Sequence, residues 1–322
     1  MRSSPSAVFD AAAVGVARKR RKRKRSAARH RLEHVLFRLA TSVLGLLPSG
    51  FASSLGPRAA RAFLVLESRR RRILLANLAH ALPEKGPGEL RTIARESVES
   101  FGAALLEFLG VLRLTREELL ARVRLDGLEH LMAARSAGRG VFLLSAHFGS
   151  WELGALVTGL SGEPIASVVR PLDNPLLERE LALRRTRFGN RLIPKKEAAR
   201  EILRAMRRNE TVAILVDQNV QPQEAVFVPF FGRLAATTPA LALMQLKTGA
   251  AVVPVFTYPL GEGLYRLRFE APIFPEEFAS VEGRSERVRR ATARYMEVTE
   301  AAIRRCPSAW LWMHDRWKTR PG

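Results

Sequence analysis

What this chain lacks narrows its chemistry first. It has one cysteine, Cys306, so an internal disulfide framework and a zinc cluster built on cysteines are both closed to it, and a reducing compartment suits it. Acidic residues are scarce beside basic ones: 31 Asp and Glu face 53 Lys and Arg, a formal net charge of +22. Eight of the positive charges form one unbroken run at residues 18–25, within ARKRRKRKRSAAR, and the remainder still carries about +14. So basic a chain is suited to an anionic counterpart: a lipid surface, a phosphorylated substrate, an acidic carrier protein or nucleic acid.

Long apolar runs are missing too. The best candidate, LEHVLFRLATSVLGLLPSGF at residues 32–51, is interrupted by Glu33, His34 and Arg38. Its charge-free part falls short of the roughly 18–20 residues a spanning helix needs. Val35, Leu36, Leu39, Val43, Leu46 and Leu47 nevertheless recur at helical spacing, with Arg38 off the stripe. A basic run followed by such a helix suits a segment lying on an anionic membrane surface. A signal peptide would have an unusually long charged leader. A nucleic-acid or localisation tail accounts for the run alone, and packing on the domain accounts for the helix alone.

Two common catalytic signatures are also absent. There is no G-x-S-x-G elbow, and Ser145 lies inside an apolar run. The histidines at 30, 34, 80, 130 and 314 show no HExxH spacing, so no metal is expected.

What is present is enough apolar sequence, 47% of 322 residues, to build one sizeable core. Residues 1–27 are expected to be a disordered basic tail, 28–112 a helical, membrane-contacting region, and 113–322 an α/β domain. Within the last, the short apolar runs VFLLSA (141–146), IASVV (165–169), TVAILVD (211–217) and AVVPVF (251–256) are separated by helical segments. That alternation predicts a mixed, largely parallel sheet flanked by helices. LYRLRFEA (264–271) alternates apolar and charged residues and reads as an edge strand, and a long helix is expected at about 281–304.

The chemistry gathers at LLSAHFGSWELGA. An apolar strand delivers His147 to its end, and Glu152 opens the next helix behind Ser150, a natural N-cap. Sites form where strands of such sheets end. Positions five apart do not share a helix face, so the pair meets only if His147 sits in the turn and folds back, which Gly149 permits. A carboxylate-held histidine is a general base for a hydroxyl. A capping histidine with an incidental glutamate fits the spacing equally well.

The wider pattern decides between them. HFGSWE (147–152), VVRPLDNP (168–175), ILVDQN (214–219), VFVPFFG with ATTPA (226–232, 236–240), TGAAVVPVF (248–256) and WLWMHDRWKTRP (310–321) occur in this order. Together they resemble the late acyltransferases of lipid A biosynthesis, a branch of the glycerolipid acyltransferases, over most of residues 32–320. The eight-residue basic run is more extreme than that family pattern requires.

The resemblance implies a glycerolipid acyltransferase-like fold and a peripheral or monotopic enzyme on the cytoplasmic face of the inner membrane. It implies acyl transfer from an acyl carrier protein or coenzyme A thioester to a membrane-lipid hydroxyl, with a lipid A precursor as the leading acceptor and no further cofactor. His147 is then the general base and Glu152 its orienting carboxylate. Other membrane lipids or glycolipids, and water in a hydrolase, remain open as acceptors. Nucleic-acid binding through residues 18–25 is the alternative of another class; it leaves H-x4-E unexplained, so no nucleic acid is expected as a partner.

Other strand-end residues carry their own expectations. Arg170 is expected to grip a phosphate or the oxyanion. Asp217 is expected to hold Arg170 or an acceptor group, or to support its loop. Asn174 is read as a helix cap, Phe230 and Phe231 as core, and His314 as a hydrogen-bonded structural histidine. The terminal tryptophans fit either the lipid interface or the sheet edge.

Overall fold

The computed structural model describes residues 27–46 and 49–321. The basic run 18–25, nearly all of the expected tail 1–27, and Leu47 at the end of the apolar stripe lie outside the described residues.

Four helices come first: α1 (Ala27–Leu46), α2 (Ser49–Leu66), α3 (Ser68–Ala81) and α4 (Pro87–Gly110). Local chemistry sets their ends. Pro87 stands in the first turn of α4, and Glu89 reaches back to accept the Gly86 N–H at 3.3 Å. α2 crosses α4 backbone to backbone, since a Cβ on Gly56 would lie 2.5 Å from the Gly102 carbonyl oxygen. The next helix, α5 (Arg116–Arg122), is opened by a capping box in which the Glu118 N–H donates to Thr115 Oγ1 and the Thr115 N–H donates to Glu118 Oε2, at 3.1 and 2.7 Å.

Strands and helices then alternate: β1 (Val123–Asp126), α6 (Leu128–Ser136), β2 (Val141–Ser145), α7 (Trp151–Leu160), β3 (Ile165–Val169), α8 (Pro175–Arg185), β4 (Arg191–Pro194), α9 (Ala198–Arg207) and β5 (Thr211–Leu215). A separate hairpin, β6 (Val226–Phe230) with β7 (Arg233–Thr237), precedes α10 (Ala240–Thr248), β8 (Ala251–Gly261), β9 (Leu264–Phe269) and α11 (Arg284–Arg305). Seven strands form one sheet in the order β1-β9-β8-β2-β5-β3-β4, and only β8–β9 is antiparallel. The chain thus has the mixed, largely parallel α/β architecture expected of it, with a helical N-terminal region.

One expectation is corrected. β9 is not an edge strand, because β1 pairs with it on its outer side. Its alternation reports one more solvated face rather than an open edge: Tyr265, Leu267 and Phe269 are buried, while half-buried Arg266 and exposed Arg124 of β1 both reach Asp126.

Both faces of the central strands are covered. Phe142 and Leu144 of β2 face a core containing Phe230, Trp310 and Trp312, whereas Val141 and Leu143 face Leu153, Leu156 and Val157 of α7. Leu74 and Leu78 of α3 and Val98 of α4 belong to the first of these cores, so the N-terminal helices and the sheet share it.

α1 lies at the rim. Glu180 of α8 accepts from His34 at 3.1 Å and from Arg38 at 3.2 Å, while Asn174 Nδ2 donates to the His30 carbonyl at 3.0 Å. Its other side leaves Leu32, Val35, Leu36, Leu39 and Val43 more than half exposed. Among the described residues no helix is long and apolar enough to cross a membrane.

Candidate active site

His147 sits just beyond β2, in a loop stitched on both sides. The Leu311 N–H donates to the His147 carbonyl at 3.1 Å, and the Gly149 N–H donates to the Ala309 carbonyl at 2.7 Å. On the other side Gly149 presses against β8. It adopts φ +55°, and a Cβ there would lie 1.7 Å from the Thr257 carbonyl oxygen. Glycine is therefore required both by conformation and by space.

The carboxylate that holds His147 is Asp217, not Glu152. Asp217 follows β5, which pairs with β2 in a register that sets Ser145 opposite Leu215. Two residues further on, His147 and Asp217 meet: Nδ1 lies 2.9 Å from Oδ1, and the His147 backbone N–H donates to Oδ2 at 2.9 Å. The Trp310 indole N–H donates to the same Oδ2, also at 2.9 Å. An ionised carboxylate only accepts, so Nδ1 carries the proton and Nε2 presents its lone pair. That lone pair faces outward, 3.2 Å from the side-chain amide nitrogen of Gln218, an exposed residue.

Electrostatics match this geometry. Burial works against an imidazolium at His147, but the charge and hydrogen bond of Asp217, with the charge of Glu152 behind them, raise its pKa above the ordinary 6.5. Burial likewise opposes ionisation of Asp217. The charge of His147 and the hydrogen bonds from its ring, the Trp310 indole and the His147 backbone outweigh it and hold the carboxyl well below the usual range. The pair is a polarised imidazole on a fixed anion, with the His147 side chain 17% exposed.

Glu152 is placed elsewhere. It lies in the first turn of α7, and its carboxylate takes a forked ion pair from Arg185 at the end of α8, with contacts of 2.6, 3.0 and 3.2 Å. The expected His147–Glu152 hydrogen bond is not formed. The loop after β2 turns its imidazole towards β5, whereas the helix start carries Glu152 towards α8. Glu152 reaches His147 through its charge, and Trp151 stands beside the imidazole with ring centroids 5.1 Å apart. Ser150 occupies the N-cap position of α7 but makes no side-chain cap.

The remaining residues fall on both sides of expectation. Asp217 does not hold Arg170, and at 2% exposure it is enclosed by His147 and Trp310 rather than open to an acceptor. Arg170 is exposed at the end of β3. Asn174 does cap α8, accepting from the Leu176 N–H at 3.0 Å. Phe230 and Phe231 are core. His314 Nε2 accepts from the Asn219 N–H at 2.9 Å. Trp310, Trp312 and Trp317 are buried, so they serve the interior and not a lipid interface. The sequence reading missed Arg185 and the role of Trp310. Arg185 stands among several arginines on one helix, with nothing local to single it out. The DQN segment at a strand end was a signal for Asp217, but its meeting with His147 depends on β5 lying next to β2.

A strand-end imidazole with a buried aspartate at its back and an open nitrogen in front has the geometry that general-base chemistry requires. Comparison with known proteins then fixes the kind of enzyme. The family model for bacterial lipid A biosynthesis acyltransferases matches residues 18–319. The chain is 31% identical over 258 residues to the lipid A biosynthesis lauroyltransferase of Escherichia coli K12, covering 79% of this chain and 80% of that one. It is 32% identical over 268 residues to the lipid A biosynthesis palmitoleoyltransferase of the same organism, covering 81% and 82%. A solved 1-acyl-sn-glycerophosphate acyltransferase from Thermotoga maritima superposes loosely, at 15% identity and a TM-score of 0.37, over 80% of this chain and 99% of that one. This chain belongs to the bacterial lipid A biosynthesis acyltransferase family, and it is an acyltransferase.

Proposed function

We propose that the enzyme transfers a fatty acyl group from the thioester of an acyl carrier protein or coenzyme A to a hydroxyl of a lipid A precursor. The observation that carries this reading is the His147–Asp217 pair, which anchors Nδ1 and leaves Nε2 open. The acceptor hydroxyl replaces the Gln218 amide at Nε2 and gives up its proton there while its oxygen attacks the thioester carbonyl. The tetrahedral intermediate then collapses, the C–S bond breaks, and the imidazolium returns the proton to the departing thiolate. Asp217 fixes the tautomer and stabilises the imidazolium. Glu152, held by Arg185, adds negative charge at longer range.

The backbone N–H groups of residues 147, 148 and 149 are all engaged within the fold. The first-turn N–H groups of α7 are therefore assigned to the oxyanion. The apolar side of α1, carrying five exposed aliphatic side chains, rests on the cytoplasmic face of the inner membrane, where both thioester donors are found.

The test is mass spectrometry of a lipid A precursor incubated with donor thioester and either wild type or His147→Ala. One added acyl chain with wild type and none with the variant is the expected result. Release of free fatty acid without acylated lipid would make water the acceptor and replace the transferase reading with a hydrolase.

A further inference from the structure

The strand registers line up more than the catalytic pair. β3 and β4 are paired so that Val169 stands opposite Pro194. The next residues in each strand, Arg170 and Lys195, therefore leave the sheet side by side, with Lys196 following. Strand order places them on the same carboxyl edge as His147 and Asp217: β2, then β5, then β3, then β4. At about 4.8 Å per strand, Arg170 is about 10 Å from the His147 position and Lys195 about 14 Å.

All three cations are exposed. Among the described residues Arg170 and Lys196 have no ion-pair partner, and Lys195 touches only Glu224, at 3.5 Å, with both side chains more than 60% exposed. So open a pair exchanges readily for a stronger anion. Glu197 lies in the same turn as the two lysines, and Glu201 of α9 is taken up by Arg204.

We propose that Lys195 and Lys196 extend the active site beyond Arg170 as a binding row for a phosphate group carried by one of the two substrates. The inference rests on the acyl-transfer reading of the His147 site, because the distance along the row is what a substrate reaching from Nε2 to the sheet edge must span. A phosphate about 10–14 Å from the reacting atoms meets two or three cations in turn. It has two chemical sources, the phosphopantetheine arm of the donor and the headgroup of the acceptor lipid.

The experiment uses the full chain and the double variant Lys195→Ala/Lys196→Ala, whose exposed sites make misfolding a minor concern. Initial rates are measured with an acyl-coenzyme A against the matching S-acyl pantetheine, which has no phosphate, and with the acceptor lipid before and after removal of its phosphates. Equilibrium binding of coenzyme A, and of phosphatidylcholine vesicles containing the phosphorylated acceptor, is measured in parallel, so the row is tested even if turnover fails. The variant should raise KM about fivefold or more for one phosphate-bearing partner, with kcat within about twofold and the matching loss in binding. The partner affected identifies the source. Glu224→Gln, which frees Lys195, should shift the same KM downward. Equal KM changes for phosphate-bearing and phosphate-free partners, or binding unchanged within about twofold for both probes, would overturn the proposal. A wild type that binds as expected yet transfers no acyl group would instead sink the acyl-transfer reading and leave the row standing.

Discussion

Asp217→Asn is the sharpest perturbation the site offers, because the geometry dictates how the amide must sit. Oδ2 of Asp217 accepts two N–H groups, from the His147 backbone and the Trp310 indole, both at 2.9 Å. An amide nitrogen in that position would confront two donors, so the asparagine oxygen must occupy it. Its NH2 group then faces His147 Nδ1 and donates to it. The imidazole is driven into the opposite tautomer, with the proton on Nε2, where the acceptor hydroxyl needs a lone pair. Loss of the fixed anion also removes the main stabilisation of the imidazolium. A wrong tautomer of this kind costs about 10⁴-fold in turnover, or about 5.5 kcal/mol of barrier. The substitution is nearly isosteric and leaves two of the three hydrogen bonds intact, so the fold should hold. The assay is single-turnover thiol release from an acyl thioester in the presence of acceptor lipid, with thermal unfolding as the control. A loss below about tenfold in a well-folded variant would refute Asp217 as the orienting carboxylate.

Three further outcomes follow from the same geometry. Glu152→Gln, which weakens the forked pair with Arg185 and removes a more distant charge, should lose about tenfold to hundredfold in kcat, clearly less than Asp217→Asn; the reverse order would return the orienting role to Glu152. Because the pKa of His147 is raised above 6.5 and the base must be neutral, kcat/KM should climb with pH through a value above 6.5, and Asp217→Asn should move that limb downward; an unmoved limb would show another group titrating. Replacing Leu36 and Leu39 of α1 with glutamate should cut binding to anionic vesicles at high salt, where charge attraction is screened and the apolar stripe is what remains; unchanged binding would place membrane contact elsewhere.

The fold was largely legible because its signals are local. Four central strands are apolar runs between turn residues, and the cap at Asn174 acts within one turn of chain. Four short strands were not: in β1 and β4, VRLD and RLIP hold too few apolar residues to show a period, and in the β6–β7 hairpin VFVPF and RLAAT show no regular alternation of apolar and polar residues. The site was half legible. His147 could be found from its place after a buried run, since a strand end fixes where its next residue points. Its partner could not, because H-x4-E invites a contact along the chain, whereas the contact made runs across the sheet to a residue 70 positions away. Such a contact is set by strand order, which no local pattern encodes.

The same consideration explains why the chain's last residues matter to its chemistry. Trp310 donates to Asp217, Leu311 binds the His147 carbonyl, and Ala309 holds Gly149, so three consecutive residues brace the His147 loop. That segment is itself held from the other side. Asn77 of α3 donates to the carbonyls of both Trp312 and His314 at 2.8 Å, and Asn219, two residues beyond Asp217, bonds His314 and Thr319. Buried polar groups of this kind are costly to leave unpaired, so removing either anchor loosens the others. The hydrogen-bonded path from α3 through the terminal segment ties the N-terminal helices to His147 itself. The pair at its end adds its own pH window: the raised His147 pKa contributes stability below 6.5 that is lost as pH rises through the folded value, and the lowered Asp217 pKa contributes stability above 3.8 that is lost as pH falls through its own. Between those limits the brace and the charge pair support one another, and the loop that aims Nε2 is most firmly set on the acid side of the pH at which the base becomes free to act.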